Sequence, residues 1–240
     1  AAAGEQAVAH AAVEHAVGRR VGLVRPAAVG RRWPVIDRGD DLAGATFSPL
    51  DGPVSPNAVK EHYRARARAA GARFVDRRAV VGVRRAGPRV TGVSLRALEG
   101  TSAAERMLEG RPADGPVETM GCERIVNAAG PWAAPVAEML GVPVPCRAVP
   151  RQVSVVASRD VDLSEQGMIV DSSDCYFHHE GGELILAGYS PPGDPPAYRF
   201  DYEGAAFFER EIWPRLAHRI GRFDRLDHVR GWPGLYELSP

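Results

Sequence analysis

The sequence has almost no lysine, few cysteines and no excess of either charge. Lys60 is the only lysine among 30 basic residues, and 30 acidic residues balance them. This balance gives no support for binding to nucleic acid or to an anionic membrane. Cys122, Cys146 and Cys175 lie far apart and form no C-x-x-C pair. They fit a reducing compartment and argue against structural zinc or a disulfide framework.

Long apolar runs are missing too. No stretch approaches the length of a membrane-spanning helix, and the alanine-rich start lacks the basic and apolar regions of a secretory signal. We therefore expect a cytoplasmic protein without a membrane span. The chain opens directly on a helical pattern and stops within a strand pattern. We interpret it as the interior of a longer protein.

The common catalytic and nucleotide-binding motifs are absent as well. The sequence contains no G-x-G-x-x-G, no Walker A loop, no G-x-S-x-G elbow and no H-E-x-x-H. His178 and His179 are neighbours in a predicted strand, so their side chains point to opposite faces and cannot bind one metal ion together. We expect no metal site.

The most informative segment that is present reads RIVNAAGPW, residues 124–132. It predicts a strand at Ile125–Ala128, a turn of small residues ending at Gly130, and a helix that begins at Pro131. Small side chains let a flat or phosphorylated ligand approach the backbone, and such crossings from strand to helix often bind cofactors in open α/β sheets. Plain packing explains the same turn equally well.

Further helices and strands follow from apolar spacing and turn residues. A helix is predicted from Pro56 to Gly71, and a strand follows it at Ala72–Val75. The segment Met168–Tyr189 predicts alternating strands joined by a turn at Glu180-Gly181-Gly182. Near the end, a helical stripe contains Pro214, which should kink or split the helix.

The order of these elements indicates a mixed α/β fold rather than one regular doubly wound sheet. We expect residues 54–140 to form part of a cofactor-binding α/β domain. Residues 1–53, with a helix from Glu5 to Gly18, and residues 141–240 should form an interwoven substrate domain with an antiparallel sheet.

Four segments, in this order, resemble FAD-dependent amine oxidoreductases of the D-amino-acid oxidase superfamily, within it the sarcosine oxidase and dimethylglycine dehydrogenase branch. They are DGPVSPNAVKEHYRARARAAGARF, RIVNAAGPWAAPVAEMLGVPVPCRAVPRQ, DCYFHHEGGELILAGYSP and FEREIWPRLAHRIGRFDRLDHVRGWPGLYELSP. Together they cover nearly the whole chain. The family's N-terminal dinucleotide fingerprint and C-terminal end have no counterpart here, so this piece alone should bind FAD poorly and be inactive.

The resemblance implies residues that contact FAD. Val80 matches a family position whose backbone meets the adenine. Ala128, Ala129, Gly130 and Trp132 match the turn next to the flavin. A core strand valine at position 80, and hydrophobic packing of the indole at position 132, are the alternatives.

The resemblance also implies residues on the substrate side. Tyr176 and Tyr236 match tyrosines that line the catalytic side of the flavin, and we expect them on neighbouring strands facing one cavity. Core packing is the alternative for both. Arg151, which with its neighbour matches a polar pair, is interpreted as structural. Gly234 stands where some members attach flavin to a cysteine, so attachment there is excluded.

The activity implied is oxidation of the C–N bond of a small secondary or tertiary amino acid, similar to sarcosine or dimethylglycine, by hydride transfer to flavin N5. The partners would be this amine and an electron acceptor, either oxygen or a carrier protein. Two alternatives stay open. The same fold also acts on 2-hydroxy acids or glycerol phosphate, and some relatives are non-catalytic flavoprotein scaffolds that act in assembly.

Overall fold

The computed structural model describes residues 21–108 and 114–239, and the helix predicted at Glu5–Gly18 lies outside them. The chain divides into two compact units that alternate along the sequence. The first unit takes the described part of Ala1–Ser55 together with Gln152–Ser190 and Tyr202–Trp232, and the second takes Pro56–Arg151, Pro191–Asp201 and Pro233–Pro240 where described. Both contain helices and antiparallel strands, which confirms the mixed fold class.

The first unit begins with a small antiparallel pair, β1 (Gly22–Val24) and β2 (Ala45–Phe47). Helix α1 (Pro26–Arg32) follows β1, and its proline occupies the first turn, where a missing N–H costs nothing. Trp33 ends this helix immediately before Pro34, because the residue before a proline is disfavoured in the helical region.

A five-stranded sheet has the order β10-β6-β9-β8-β7. Its strands are β6 (Arg147–Ala157), β7 (Ile169–Val170), β8 (Cys175–Gly181), β9 (Leu184–Tyr189) and β10 (Asp227–Leu238). The predicted turn between β8 and β9 is confirmed. It contains Gly181 and Gly182, both at positive φ, a conformation that glycine adopts without a Cβ clash.

One face of this sheet carries the main core of the first unit. Phe177 on β8 pairs with Ala187 on β9, and both are fully buried. The core also contains apolar side chains from the helical segment that precedes β10: Phe207, Phe208, Ile212, Leu216, Ile220 and Phe223. Because side chains alternate along a strand, Tyr176 points to the opposite face from Phe177.

The helical segment on this core is interrupted, as Pro214 predicts. It consists of α5 (Ala205–Phe207), a π-helical turn at Phe208–Ile212 and α6 (Trp213–Arg219). Pro214 lies in the first turn of α6 and donates no backbone hydrogen bond. The wider π turn absorbs this loss while Phe208, Ile212 and Leu216 stay buried.

The second unit contains a three-stranded antiparallel sheet of order β3-β4-β5. Its elements are α2 (Pro56–Ala69), β3 (Arg78–Ala86), β4 (Arg89–Ala97), α3 (Gly100–Leu108), β5 (Val117–Gly121) and α4 (Ala133–Met139). Strand β5 was not predicted, because the segment VETMG has no run of apolar residues.

Two predicted strands are wrong. Ala72–Val75 and Ile125–Ala128 have no strand partner among the described residues and are not strands. Every residue of the first segment is exposed, and the side chain of Val126 in the second is 91% exposed. A strand is defined by hydrogen bonds to its neighbour, so an apolar run without that neighbour stays irregular.

Candidate functional site

The turn of small residues at Ala128–Gly130 is held by the side chain before it. Asn127 Oδ1 accepts a hydrogen bond from the Ala129 N–H at 3.2 Å, and Asn127 Nδ2 donates to the Ala133 carbonyl at 2.8 Å. One amide side chain therefore spans the turn from its start to the first residue of α4. This use of a short polar side chain to close a turn is common for asparagine.

The turn leads directly into a helix, but the helix does not start as predicted. Residues Gly130–Trp132 form one 3₁₀ turn, and the α-helix begins only at Ala133. Gly130 has φ +54°, and no described atom lies within 4 Å of the place that a Cβ would take there. The glycine therefore permits the backbone conformation and leaves its surface open to a ligand.

Trp132 is half-buried among aromatic rings. Its ring stacks on Tyr198 with 6.0 Å between centroids and on Phe200 with 6.5 Å. Its indole N–H donates to the Leu108 carbonyl at 3.0 Å. These contacts are consistent with packing within the second unit, the alternative that the sequence left open for Trp132.

Val80 lies in β3 at an irregularity of the sheet. It pairs with Leu95 on β4, and the register shifts between Val80 and Gly82. Helix α4 packs against β3, so the helix that follows the small turn lies beside the strand that carries Val80. The valine is half-buried, which is consistent with core packing and with a backbone contact to a ligand.

Tyr176 lies flat across its neighbouring strand in the first unit. It pairs with Gly188 on β9, and a Cβ on Gly188 would overlap the phenol ring. Because Gly188 has no side chain, the Tyr176 ring can occupy the space in which a Cβ would lie. The ring is half-buried on the sheet face opposite the core.

Tyr236 lies near a buried arginine in the second unit. The Arg151 guanidinium carbon is 5.9 Å from the centre of the Tyr236 ring. Arg151 forms an ion pair of 2.6 Å with Asp194 and donates to the Pro150 carbonyl at 2.8 Å. Its side chain is 9% exposed, in agreement with the structural role predicted for a buried guanidinium with a partner.

The two tyrosines are not on neighbouring strands, contrary to the prediction. Tyr176 is on β8 and Tyr236 is on β10, and strands β6 and β9 lie between them in the sheet order. The sequence patterns of two strands do not show how many other strands lie between them in a sheet. The prediction that the two tyrosines lie on neighbouring strands was wrong for this reason.

Several residues of this region were not identified from the sequence. Tyr198, Phe200 and Asp194 lie in the proline-rich segment PPGDPPAYRFD at 191–201, whose composition signals only an irregular loop. Asn127 had a local signal, since a short polar side chain directly before small residues commonly closes a turn.

The described residues offer no group of three His, Cys, Asp or Glu side chains able to hold a metal ion. Within the same residues, none of the helices has both the length and the apolar character needed to cross a bilayer.

Comparison with known proteins identifies the family of this chain. The family model "FAD dependent oxidoreductase" (DAO) matches residues 1–240. The chain is 30% identical over 136 residues to FAD-dependent oxidoreductase domain-containing protein 1 of Xenopus laevis, which covers 51% of this chain and 27% of that protein. It is 27% identical over 168 residues to mitochondrial sarcosine dehydrogenase of Mus musculus, covering 70% of this chain and 16% of that protein.

A solved structure shares the fold. L-proline dehydrogenase from P. horikoshii superposes with a TM-score of 0.75 at 18% identity, covering 95% of this chain and 55% of that chain. The chain thus spans well under two thirds of each of these relatives. Because the family model matches its whole length, the chain belongs to the family of FAD-dependent oxidoreductases, whose cofactor is FAD.

Proposed function

We propose that this chain is part of an FAD-dependent enzyme that oxidises the C–N bond of a small secondary or tertiary amino acid. The observation that carries the proposal is the family match over residues 1–240. The likeness to a sarcosine dehydrogenase over 70% of the chain supports an amine similar to sarcosine or dimethylglycine. The electron acceptor would be oxygen or a carrier protein.

The second unit fits part of an FAD site. Ala128, Ala129 and Gly130 carry no side chain larger than a methyl group, and the surface of Gly130 is open among the described residues. A planar ring system can therefore approach this backbone closely. We assign these three residues to binding of the flavin. Trp132 would stabilise the turn by its packing on Tyr198 and Phe200. The backbone of Val80 would bind the adenine.

Bound FAD supplies the acceptor for a hydride equivalent from the carbon next to the amine. The chain's own residues would bind and orient the amino acid and exclude water. We assign this task to Tyr176 and Tyr236. A tyrosine suits it because its ring walls an apolar cavity while its hydroxyl donates a hydrogen bond to a carboxylate.

The two tasks follow the two units only in part, because Tyr236 lies in the second unit. We propose that the second unit contributes to the FAD site and that most of the antiparallel sheet in the first unit serves the substrate. The separated cysteines favour a cytoplasmic location, since they fit a reducing compartment.

Steady-state turnover by the full-length protein tests the activity. We expect oxidation of sarcosine or dimethylglycine. The Tyr236→Phe variant should keep the flavin spectrum of the wild type but lose about ten- to a hundredfold in kcat/KM, because one hydrogen bond to a charged group is lost.

A wild-type protein that holds FAD but turns over neither amine would contradict the assignment to these amines and leave the two alternatives, a 2-hydroxy acid or glycerol phosphate substrate and a non-catalytic scaffold. Wild-type kinetics in both Tyr176→Phe and Tyr236→Phe would instead remove the tyrosines from the substrate site and leave the activity standing.

A further inference from the structure

The loop at 191–201 is fastened to the segment that follows the small turn. The Tyr198 hydroxyl donates to the Pro131 carbonyl at 3.1 Å, although the two residues are 67 positions apart. The Ala197 N–H donates to the Ala148 carbonyl at 3.0 Å. Asp194 adds its ion pair with Arg151. Three independent contacts therefore fix this irregular loop within the second unit.

The same loop supplies two rings that stack on Trp132. The planes of Trp132 and Tyr198 differ by 27°, and those of Trp132 and Phe200 by 19°. We call Trp132, Tyr198 and Phe200 the aromatic clasp. Each stacked pair of this kind contributes a modest free energy beyond burial, and two rings that stack on the same indole limit its orientation.

The clasp acts on the two residues that directly follow Gly130. Pro131 has no N–H and a fixed φ, so the Tyr198 hydroxyl constrains the remaining freedom of its carbonyl. Burial, followed by the neighbouring Cys146 and Glu138, raises the pKa of Tyr198, so its hydroxyl stays protonated and donates throughout the physiological range. The turn is thus held by Asn127 from within and by Tyr198 from the loop.

We propose that Tyr198 is a positioning residue for FAD, which acts by fixing the backbone of Gly130–Trp132 in the conformation that receives the flavin. The inference rests on the proposed function of the turn. It gives the loop at 191–201 a part in the cofactor site, although none of its residues was a candidate from the sequence.

The test uses the full-length protein with Tyr198→Phe, which keeps the stacked ring and removes only the hydroxyl. Tyr63→Phe is the matched control, since Tyr63 lies on α2 of the same unit and is 67% exposed. FAD affinity is measured by titrating the apoprotein. Hydrogen exchange is measured by mass spectrometry on the peptide that contains the Trp132 and Ala133 amides, which donate to Ala129 and Gly130.

We expect Tyr198→Phe to weaken FAD binding about three- to tenfold, as the loss of one hydrogen bond implies, and to speed exchange at these amides in the apoprotein. Tyr63→Phe should change neither. Faster exchange with unchanged FAD affinity would overturn the proposal by making the contact purely structural. Weaker binding with unchanged exchange would overturn it by making Tyr198 a direct ligand, and no change in either measurement would also overturn it.

FAD titration of the wild-type apoprotein distinguishes failure of this inference from failure of the proposed function. If wild-type apoprotein takes up no FAD, the assignment of the turn fails and the positioning role falls with it. If wild-type protein binds FAD and only the Tyr198→Phe effect is missing, the inference alone is wrong.

Discussion

Arg219 is a buried, charged residue of the first unit. Its side chain is 2% exposed, and its guanidinium forms ion pairs with Asp171 and Asp41. It also donates to the Arg38 carbonyl at 2.7 Å. The network joins the end of α6 to two loops distant in sequence. Its stabilising effect depends on the partners being present, because Arg219 without its carboxylates, or Asp171 without Arg219, is a buried, unpaired charge.

The pKa values in this network are displaced in the direction that favours charge. The hydrogen bond from Arg219, followed by the contact with His218, holds the pKa of Asp41 well below its usual range. Burial alone would raise the pKa of Asp171, but hydrogen bonds from Ser173 and Arg219 outweigh it and hold that pKa below normal. Such carboxylates stabilise the fold above the unfolded-state pKa, and this contribution is lost as pH falls through the folded-state pKa.

Arg219→Ala should therefore lower the free energy of unfolding of the full-length protein by about 3–5 kcal/mol near neutral pH. The difference from wild type should begin to shrink as pH falls below about 4, the pKa of an unfolded-state aspartate, and should go on shrinking toward the lower folded-state pKa values. Denaturant unfolding at several pH values measures this.

Arg199→Ala is the control, because Arg199 lies 3.7 Å from Asp201 in an exposed pair and should cost less than about 1 kcal/mol. An Arg219→Ala effect that is equally large at every pH would show that packing of the side chain, rather than its charge, is what stabilises this site.

The cross-strand pair of Tyr176 on β8 and Gly188 on β9 allows the proposed substrate role of Tyr176 to be tested. Tyr176 occupies the space above Gly188, which a Cβ would fill. Gly188→Ala should push the ring aside while leaving the ladder hydrogen bonds in place. If Tyr176 lines the substrate site, kcat/KM should fall about tenfold with a small change in melting temperature.

The control is the double variant Tyr176→Ala with Gly188→Ala, compared with Tyr176→Ala alone. In that background the ring is gone, so Gly188→Ala should have little further effect on kcat/KM. An equal loss in both backgrounds would mean that the substitution acts on the sheet itself and not through Tyr176.

Elements with local signals were predictable from the sequence. Pro214 predicted the interruption before α6, and Gly181 and Gly182 predicted the turn between β8 and β9. These features depend on residues within a few positions of one another, and the backbone limits of proline and glycine decide them.

Elements that depend on distant partners were not predictable. Ile125–Ala128 has the composition of a strand, but no described residue pairs with it. The polar segment Val117–Gly121 is a strand only because β4 offers it a ladder. Likewise, Tyr198 reaches Pro131 across 67 positions, and nothing in the local sequence signals this contact.

At the scale of the whole molecule, the two units alternate along the chain, with the second built from three separate segments. The residues proposed to contact FAD, Val80 and Ala128–Gly130, all fall in the second unit, whereas Tyr176 falls in the first. The structure therefore distributes the candidate residues over both units. The fold is shared over 95% of the chain with the solved structure of L-proline dehydrogenase.

We propose above all that the full-length protein uses FAD to oxidise a small amino acid at its C–N bond. Anaerobic mixing of the FAD-loaded protein with sarcosine, dimethylglycine or a 2-hydroxy acid tests it directly, because reduction of the flavin bleaches its visible absorption without any added acceptor. We expect bleaching by at least one of the two amines and none by the 2-hydroxy acid. A flavin that dithionite reduces but neither amine reduces would contradict the account.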